Sequence, residues 1–200
     1  MDTIEHPPQQ YLVAGLGNPG REYRETRHNI GFMALDRLAG KLSIQMTRLQ
    51  SSALVGSGLH NGQRVTLAKP QTFMNLSGQA IGGLLRFYKI PIENLLVVHD
   101  DIDLPLGTLR LRGGGGAAGQ KGMASIITVL SSQDFPRLRL GVGRPPGRKS
   151  AADYVLENFL TAEQDLVNQV LDQACQAALT FVNEGLNTAM NRFNGSLTKE

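Results

Sequence analysis

Two polar segments of this 200-residue chain contain side chains that could form an acid–base pair. His28 stands just before a stretch with helical apolar spacing, and Asp100 stands at the end of an apolar run of strand length. An aspartate that accepts a hydrogen bond from one imidazole nitrogen fixes the tautomer, and the other nitrogen can then take a proton from water. A loop histidine near a helix start is more often a surface or capping residue. The two segments therefore predict a catalytic pair only if the fold brings them together.

Three acidic residues in four positions, Asp100, Asp101 and Asp103, also resemble a magnesium site. Mg²⁺ prefers carboxylate and water oxygens, and such a site would indicate a metal-dependent phosphohydrolase with a phosphate-bearing substrate. The segment 104–107, Leu-Pro-Leu-Gly, follows directly and is typical of a turn, where aspartate is common for conformational reasons. The acidic run alone does not decide between a metal site and a turn.

Two asparagines, Asn18 and Asn75, stand beside expected element boundaries. Asn75 precedes a helical pattern, so it is typical of a helix N-cap, and its amide could equally bind a substrate carbonyl or stabilise an oxyanion. Residues 15–20 match the Gly-x-Gly-x-x-Gly pattern of dinucleotide-binding proteins. Residues 21–27 are almost all charged or polar, whereas that fold needs an apolar crossover helix there. We therefore interpret 15–20 as a tight turn that presents Asn18 at the carboxyl edge of a sheet.

A glycine-rich loop, with six glycines between positions 113 and 122, lies among basic residues. Its spacing lacks the Gly-Lys-Ser/Thr ending of a P-loop, so nucleoside triphosphate binding is not expected. Basic residues concentrate on both sides of the loop: Arg110, Arg112, Lys121, Arg137, Arg139, Arg144, Arg148 and Lys149. Scattered arginines usually mean a solvated surface, but this concentration in a chain of net charge +3 favours contact with phosphates.

Strand and helix patterns alternate along the chain. Strand patterns cover 11–16, 53–59, 64–68, 95–99, 108–112 and 137–142, and helical patterns cover 30–42, the residues after 75, 123–130, 161 to about 183, and 186–193. Asn61-Gly62 is typical of a hairpin turn, and Thr161 with Gln164 fits a capping box. The alternation predicts an α/β fold: a single domain with a twisted mixed central β-sheet and helices on both faces. We expect a flexible polar tail at 1–10, the domain at 11–194 and a C-terminal tail at 195–200.

The composition argues against several classes of protein. No apolar run approaches the ~18 residues that span a bilayer, and the first ten residues lack a signal-peptide pattern. A single cysteine, Cys175, excludes an internal disulfide and a cysteine-based zinc site, and its helical context predicts a buried apolar role. We therefore expect a cytoplasmic protein without a membrane segment.

Several of these segments together resemble the bacterial-type peptidyl-tRNA hydrolase family. The resemblance spans about residues 11–194 and rests on 13–20 with Tyr23, 26–29, 69–70 followed by 72–78, 99–105 and the glycine-rich loop. It implies a monomeric α/β domain that acts in translation and hydrolyses the ester between a peptide and the 3′ ribose of tRNA. The implied partner is peptidyl-tRNA, bound through its acceptor arm and 3′ end, and no cofactor or metal is implied.

The resemblance also implies catalytic roles for four residues. His28 is the expected general base, and Asp100 is the expected carboxylate that orients it. Asn18 and Asn75 are expected to position the peptidyl ester and the water and to stabilise the tetrahedral intermediate.

By the same resemblance, Tyr23, Phe73 and Met74 are the expected walls of the substrate groove. Arg112 and Arg139 are the expected clamp on the 5′ phosphate of the tRNA. Since RNA of this kind is held by its shape and phosphates, binding is expected to weaken steeply as salt rises.

The chain departs from the family pattern in the glycine-rich loop. The family usually has His-Asn-Gly there, and its asparagine helps to hold water and substrate, whereas this chain has Gln120-Lys121-Gly122. A lysine donates hydrogen bonds but cannot accept them as an amide can. We predict that Lys121 contacts the RNA part of the substrate while His28 and Asp100 keep the chemistry. The departure leaves one alternative open, a non-catalytic RNA-binding relative of the type that assists intron splicing in plastids.

Overall fold

Eight strands of the computed structural model, which describes residues 8–198, form one mixed sheet. In chain order they are β1 (Gln10–Gly15), β2 (Arg48–Gln50), β3 (Ala53–His60), β4 (Gln63–Pro70), β5 (Leu95–Asp101), β6 (Thr108–Arg112), β7 (Arg137–Gly141) and β8 (Gly195–Ser196). Across the sheet their order is β2-β3-β4-β1-β5-β7-β6-β8. The central strands β4, β1, β5 and β7 are parallel, and the strands on both sides of them are antiparallel. The predicted α/β fold with a mixed sheet is confirmed.

Helices cover both faces of the sheet. They are α1 (Ile30–Lys41), α2 (Ser77–Tyr88), α3 (Lys121–Leu130), α4 (Ala151–Val155), α5 (Gln164–Glu184) and α6 (Leu186–Phe193). One core lies between the sheet and α1, α5 and α6, and a second core lies between the sheet and α2 and α3. Strand β1 serves both cores, because Val13 faces the first and Leu12 and Ala14 face the second. A central strand that is buried on both faces explains the continuous apolar run in this part of the sequence.

The hairpin between β3 and β4 turns at the predicted position. Asn61 and Gly62 both have positive φ, at 47° and 78°. Such a pair of left-handed residues matches the right-handed twist of the two strands that it joins, which explains why Asn-Gly occupies the turn.

The predicted capping box at Thr161 and Gln164 is wrong. These residues belong to a short 3₁₀ helix, Thr161–Glu163, and to the first turn of α5. The carboxylate that satisfies a backbone donor here belongs to Glu163, which accepts the N–H of Leu160 at 2.7 Å. Glu163 also binds Arg27, 136 residues away, so a tertiary contact decides which side chain takes the capping role.

The ends of the sheet differ slightly from the expected domain limits. Strand β1 begins at Gln10, and Gly195 and Ser196, which the sequence predicts to be part of the C-terminal tail, pair with β6. Residues 1–7 of the expected N-terminal tail, like 199–200, lie outside the described part of the chain. Within 8–198, no helix combines the length and apolar character that crossing a membrane requires. Cys175 is buried in α5, and burial raises the pKa of its thiol to about 11, in keeping with an apolar role.

A close backbone contact places the start of α1 against the ends of β1 and β5. A Cβ atom at Gly31 would lie only 2.5 Å from the backbone oxygens of both Leu16 and Val98. Only glycine allows this approach, and Gly31 lies three residues after His28. The contact therefore brings the segment that carries His28 to the carboxyl edge of the sheet.

Candidate active site

His28 and Asp100 meet at the carboxyl edge of the sheet. Nδ1 of His28 lies 2.7 Å from Oδ2 of Asp100, and the two residues are 72 positions apart in the chain. Asp100 belongs to β5 and its side chain is only 3% exposed, whereas the His28 side chain is 12% exposed. When Nδ1–H donates to the carboxylate, Nε2 is the nitrogen that can accept a proton. The geometry is that of an oriented general base.

Arg27, the residue before His28, is buried and held by several contacts. The guanidinium of Arg27 donates to both carboxylate oxygens of Glu163, at 3.1 and 2.7 Å. It also stacks on the rings of Tyr154 and Phe159, at 4.5 and 4.9 Å from their centroids. A bidentate pair that is also stacked on aromatic rings has little freedom, so the short 3₁₀ helix Arg27–Asn29 is held firmly in place.

Asn18 is oriented by two neighbouring segments. Its backbone N–H donates to Oδ1 of the buried Asn29 at 2.8 Å, and Nδ2 of Asn29 donates to its carbonyl oxygen at 2.9 Å. The side-chain Oδ1 of Asn18 accepts the N–H of Met74 at 2.9 Å. Because its oxygen is used in this way, the NH₂ group of Asn18 is the part that can donate to a ligand.

Asn75 does not cap a helix. It lies in the 3₁₀ helix Met74–Leu76, and α2 begins two residues later with Leu76 at its N-cap position and no side-chain cap. The N-cap interpretation of Asn75 is therefore wrong. Its side chain is exposed and lines the cavity described next.

A cavity of about 780 Å³ opens at the His28–Asp100 pair. It brings together most of the residues named from the sequence: Asn18, His28, Phe73, Met74, Asn75, Asp100 and Lys121. Its remaining walls come from the end of β5, the glycine-rich loop and α4: Asp101, Ile102, Ala118, Gly119, Gln120, Ala151, Ala152, Val155 and Leu156. The cavity therefore combines polar groups that can act on a reacting centre with apolar walls that can hold a side chain.

Tyr23 is not among the residues that line this cavity. It ends a separate 3₁₀ helix, Arg21–Tyr23, and its carbonyl oxygen accepts the N–H and the hydroxyl of Thr26 at 3.0 and 2.8 Å. Its predicted place in the wall of the substrate groove stays a prediction.

Basic side chains from β6 and β7 lie on one face of the sheet. Leu109 and Leu111 are buried against α5 and α6, so Arg110 and Arg112 project from the opposite face and are exposed. Arg139 is in register with Arg110. We call Arg110, Arg112 and Arg139 the arginine face.

Four of the basic residues around the glycine-rich loop are already engaged within the protein, and two of them, Arg144 and Lys149, form exposed ion pairs with Asp103 and Glu157. Arg139 donates from Nε to Oδ2 of Asp101 at 2.6 Å. Arg137 is buried and donates to the carbonyl oxygens of Gly115 and Gln133, at 2.5 and 2.7 Å. Arg137 therefore ties the glycine-rich loop to β7 and does not belong to the surface that could meet phosphates.

The three acidic residues at the end of β5 and just after it have different partners. Asp100 contacts His28, Asp101 contacts Arg139, and Asp103 contacts Arg144 at 2.7 Å. Across residues 8–198, no three histidine, cysteine, aspartate or glutamate side chains gather in an arrangement that could hold a metal ion. The structure therefore gives no support to the magnesium interpretation of the acidic run.

The pattern of residue types does not identify three supporting side chains of the site. Asn29 and Arg27 hold the backbone around the base, and Gln120 donates to Oδ1 of Asp100 at 3.0 Å. Each is polar and nearly buried, a combination that is uncommon without a partner, but burial is visible only in the folded chain. His99 next to Asp100 is also buried, and this burial lowers the pKa of its imidazole.

Comparison with known proteins gives consistent matches. The sequence profile of the family described as "Peptidyl-tRNA hydrolase" matches residues 12–200. A peptidyl-tRNA hydrolase of Synechococcus sp. (strain JA-2-3B'a(2-13)) is 52% identical over 186 residues, which are 92% of this chain and 82% of the relative. Another, of Carboxydothermus hydrogenoformans (strain ATCC BAA-161 / DSM 6008 / Z-2901), is 49% identical over 184 residues, which are 92% of this chain and 98% of the relative.

A solved structure agrees with the whole fold. The crystal structure of peptidyl-tRNA hydrolase from Acinetobacter baumannii has a TM-score of 0.88 and 35% sequence identity, with 96% of this chain and 98% of that chain covered. These relatives carry the name of an enzyme, so the matches do not favour the non-catalytic alternative.

Proposed function

The chain belongs to the peptidyl-tRNA hydrolase family, and we propose that the cavity at His28 and Asp100 is where it hydrolyses the ester between a peptide and the 3′ ribose of tRNA. The observation that carries this proposal is the 2.7 Å contact between the two side chains in a cavity that Asn18 and Asn75 also line. Such an ester requires a positioned water, a base and donors for the developing oxyanion, and a covalent nucleophile is unnecessary.

His28 acts as the base in the proposed mechanism. Its Nε2 takes a proton from a water as the water oxygen bonds to the ester carbon, and the carbonyl oxygen becomes an oxyanion. When this intermediate collapses, the bond to the 3′ oxygen of the ribose breaks and His28 returns the proton to that oxygen. Asp100 keeps the ring in one tautomer and stabilises the imidazolium that forms between the two steps.

Asn18 and Asn75 provide amide donors for the oxyanion and for the peptidyl group. Asn18 supports this role best, because its oxygen is occupied by Met74 and its NH₂ is left for the substrate. A donor that is already oriented does not have to reorganise when negative charge develops, which makes such groups effective.

The apolar part of the cavity is the proposed place of the peptide. Phe73 and Met74 from one segment and Val155 and Leu156 from another line it. Lys121 stands at the start of α3 with an exposed side chain, where it can reach the RNA part of the substrate. Discrimination against aminoacyl-tRNA, whose amine is charged, agrees with an apolar wall of this kind.

The arginine face is the proposed place of the tRNA acceptor arm. Arg112 is exposed to meet a phosphate, and Arg139 is the member of this face that contacts Asp101, a residue of the cavity wall. Arginine forms bidentate contacts with phosphates and reads backbone shape without base identity. Recognition of this type depends on charge, so it weakens as salt increases.

A reaction without a metal ion agrees with the separate partners of Asp100, Asp101 and Asp103. Every group that the proposed mechanism uses comes from one chain, so a monomer suffices. Peptidyl-tRNA, the proposed substrate, arises in translation, and we propose that the protein works in the cytoplasm.

The experiment that tests the function measures release of N-acetyl-amino acid from charged tRNA. We expect the wild type to turn over and His28→Ala to lose about 10³-fold in kcat, because the general base is missing. His60→Ala is the matched control, since His60 lies at the β3–β4 hairpin and contacts Asn183 at 3.1 Å, outside the cavity. Equal turnover by the wild type and His28→Ala would overturn the proposal.

A further inference from the structure

We propose that Gln120 is a positioning residue for this reaction, whose side-chain amide holds the Asp100 carboxylate in the orientation that serves His28. The inference rests on the proposed function, because it assigns Gln120 a role through the His28–Asp100 pair. Gln120 itself is not required to touch the substrate.

Both ends of the Gln120 amide are fixed. Its Nε2 donates to Oδ1 of Asp100 at 3.0 Å and lies 3.3 Å from Sδ of Met74. Its Oε1 accepts the N–H of Met123 at 2.8 Å, which makes Gln120 the N-cap of α3. Since the residue is only 9% exposed, the amide cannot turn without leaving buried polar groups unpaired.

Asp100 receives one donor from each side of the sheet. His28 precedes α1 on one face and donates to Oδ2, and Gln120 precedes α3 on the other face and donates to Oδ1. A carboxylate with a fixed donor on each oxygen has one preferred rotation. Without the Gln120 donor, the carboxylate can rotate or bind water, and the His28 ring loses part of its orientation.

The glycine after Lys121 permits this arrangement. A Cβ at Gly122 would lie 2.6 Å from Sδ of Met74, 2.9 Å from Leu16 and 3.0 Å from Oε1 of Gln120. The backbone at the start of α3 is therefore packed against Met74, which Gln120 also contacts, and against Gln120 itself, so little room is left for the amide to move.

A neutral donor suits this position on electrostatic grounds. A cation on Oδ1 would compete with His28 for the charge of Asp100, whereas an amide orients the carboxylate and leaves its charge in place. Three charged or titratable groups lie near the pair. Asp101 is bound to Arg139, the buried His99 donates from Nδ1 to the backbone oxygen of Asp100 at 2.7 Å, and Lys121 is exposed to solvent.

Gln120→Glu tests the inference through its pH dependence. The new carboxyl keeps an oxygen for the N–H of Met123, and while protonated it donates its O–H to Asp100 as the amide did. Once ionised, it repels Asp100 and favours the protonated form of the His28 imidazole, which cannot act as a base. We expect the ratio of variant to wild-type kcat to stay within about threefold at low pH and to fall about 30-fold as pH rises from ~6 to ~9, the range of buried carboxyls.

Gln120→Met separates orientation from folding. Methionine has a similar length but has neither the donor nor the cap, and we expect kcat to fall about 10-fold with KM within about twofold. Ser125→Ala is the control, because it removes another side-chain acceptor of α3, the one that binds the N–H of Gly78 at 3.0 Å. We expect this control to lower the melting temperature while kcat stays within about twofold of wild type.

The outcomes distinguish the two proposals. A Gln120→Glu ratio that does not change with pH, or a Gln120→Met variant with wild-type kcat, overturns the role of Gln120 and leaves the proposed function intact. Failure of the proposed function has another pattern, in which His28→Ala turns over like the wild type.

Discussion

The carboxyl edge of the sheet and the arginine face use polar side chains in opposite ways. At the carboxyl edge, His28, Asp100, Asn18 and Gln120 are buried or partly buried, and each has a partner at a definite distance. On the arginine face, Arg110 and Arg112 are exposed at the strand surface. The carboxyl edge fixes the geometry of the reacting groups, and the arginine face provides positive charge.

The difference follows from what each task requires. A base and its water must be aligned within fractions of an ångström, so the protein surrounds them with fixed contacts. Attraction to a phosphate backbone falls slowly with distance and tolerates many orientations, so exposed and flexible arginines are sufficient. Arg139 connects the two regions, because it belongs to the arginine face and is bound to Asp101 in the wall of the cavity.

Asp100→Asn tests the carboxyl edge most severely. An amide at this position cannot select the same imidazole tautomer or stabilise the imidazolium, so we expect kcat to fall about 10³-fold while KM changes little. Steady-state hydrolysis of N-acetyl-aminoacyl-tRNA measures both constants. A variant that keeps more than about a tenth of wild-type kcat would show that this pair does not carry the chemistry.

Asn18→Asp keeps the acceptor oxygen of the side chain and removes its NH₂ donor. The aspartate can still accept the N–H of Met74, so the loop should keep its conformation, but the NH₂ donor becomes a negative oxygen. We expect kcat to fall about 10²-fold with an unchanged melting temperature. An activity loss that is matched by a fall in melting temperature would instead indicate a structural role.

Gly31→Ala and Gly116→Ala compare the packing behind the carboxyl edge with that of the glycine-rich loop, which follows the arginine strand β6. At Gly31 a Cβ would meet two backbone oxygens at 2.5 Å, whereas a Cβ at Gly116 would meet no heavy atom of the other described residues within 4 Å, its two chain neighbours aside. We expect Gly31→Ala to lower the free energy of unfolding by about 2 kcal/mol, and Gly116→Ala to change it by less than about 0.5 kcal/mol. Urea unfolding at equilibrium measures both, and similar values for the two variants would contradict the contrast.

Arg112→Gln gives the smallest effect and concerns binding alone. Removal of one exposed phosphate contact should raise KM about 5-fold at moderate salt with kcat unchanged, and should reduce the slope of log KM against log salt by about 1. Arg64→Gln is the control, because Arg64 is an exposed arginine of β4, away from β6 and β7. Equal salt slopes for Arg112→Gln and the wild type would remove Arg112 from the RNA surface.

The sequence by itself determined the local elements and the candidates for chemistry. Apolar periodicity identified most strands and helices, and Asn61-Gly62 identified the hairpin, because these depend on residues close in the chain. Residue type and the family resemblance singled out His28 and Asp100 as a base and its carboxylate, on the condition that the fold brings the two segments together. Short elements without a strong pattern, such as β2, α4 and β8, were not identified from their sequence.

Only the tertiary structure decided which polar groups became partners. Glu163 binds Arg27 across 136 positions, Gln120 meets Asp100, and Asp101 takes up part of the charge of Arg139. Residue type shows that such groups can form hydrogen bonds, but the choice of partner depends on which surfaces the packed helices and strands bring together. Burial then stabilises these pairs, because a buried polar group that loses its partner cannot replace it with water, and the loss costs free energy.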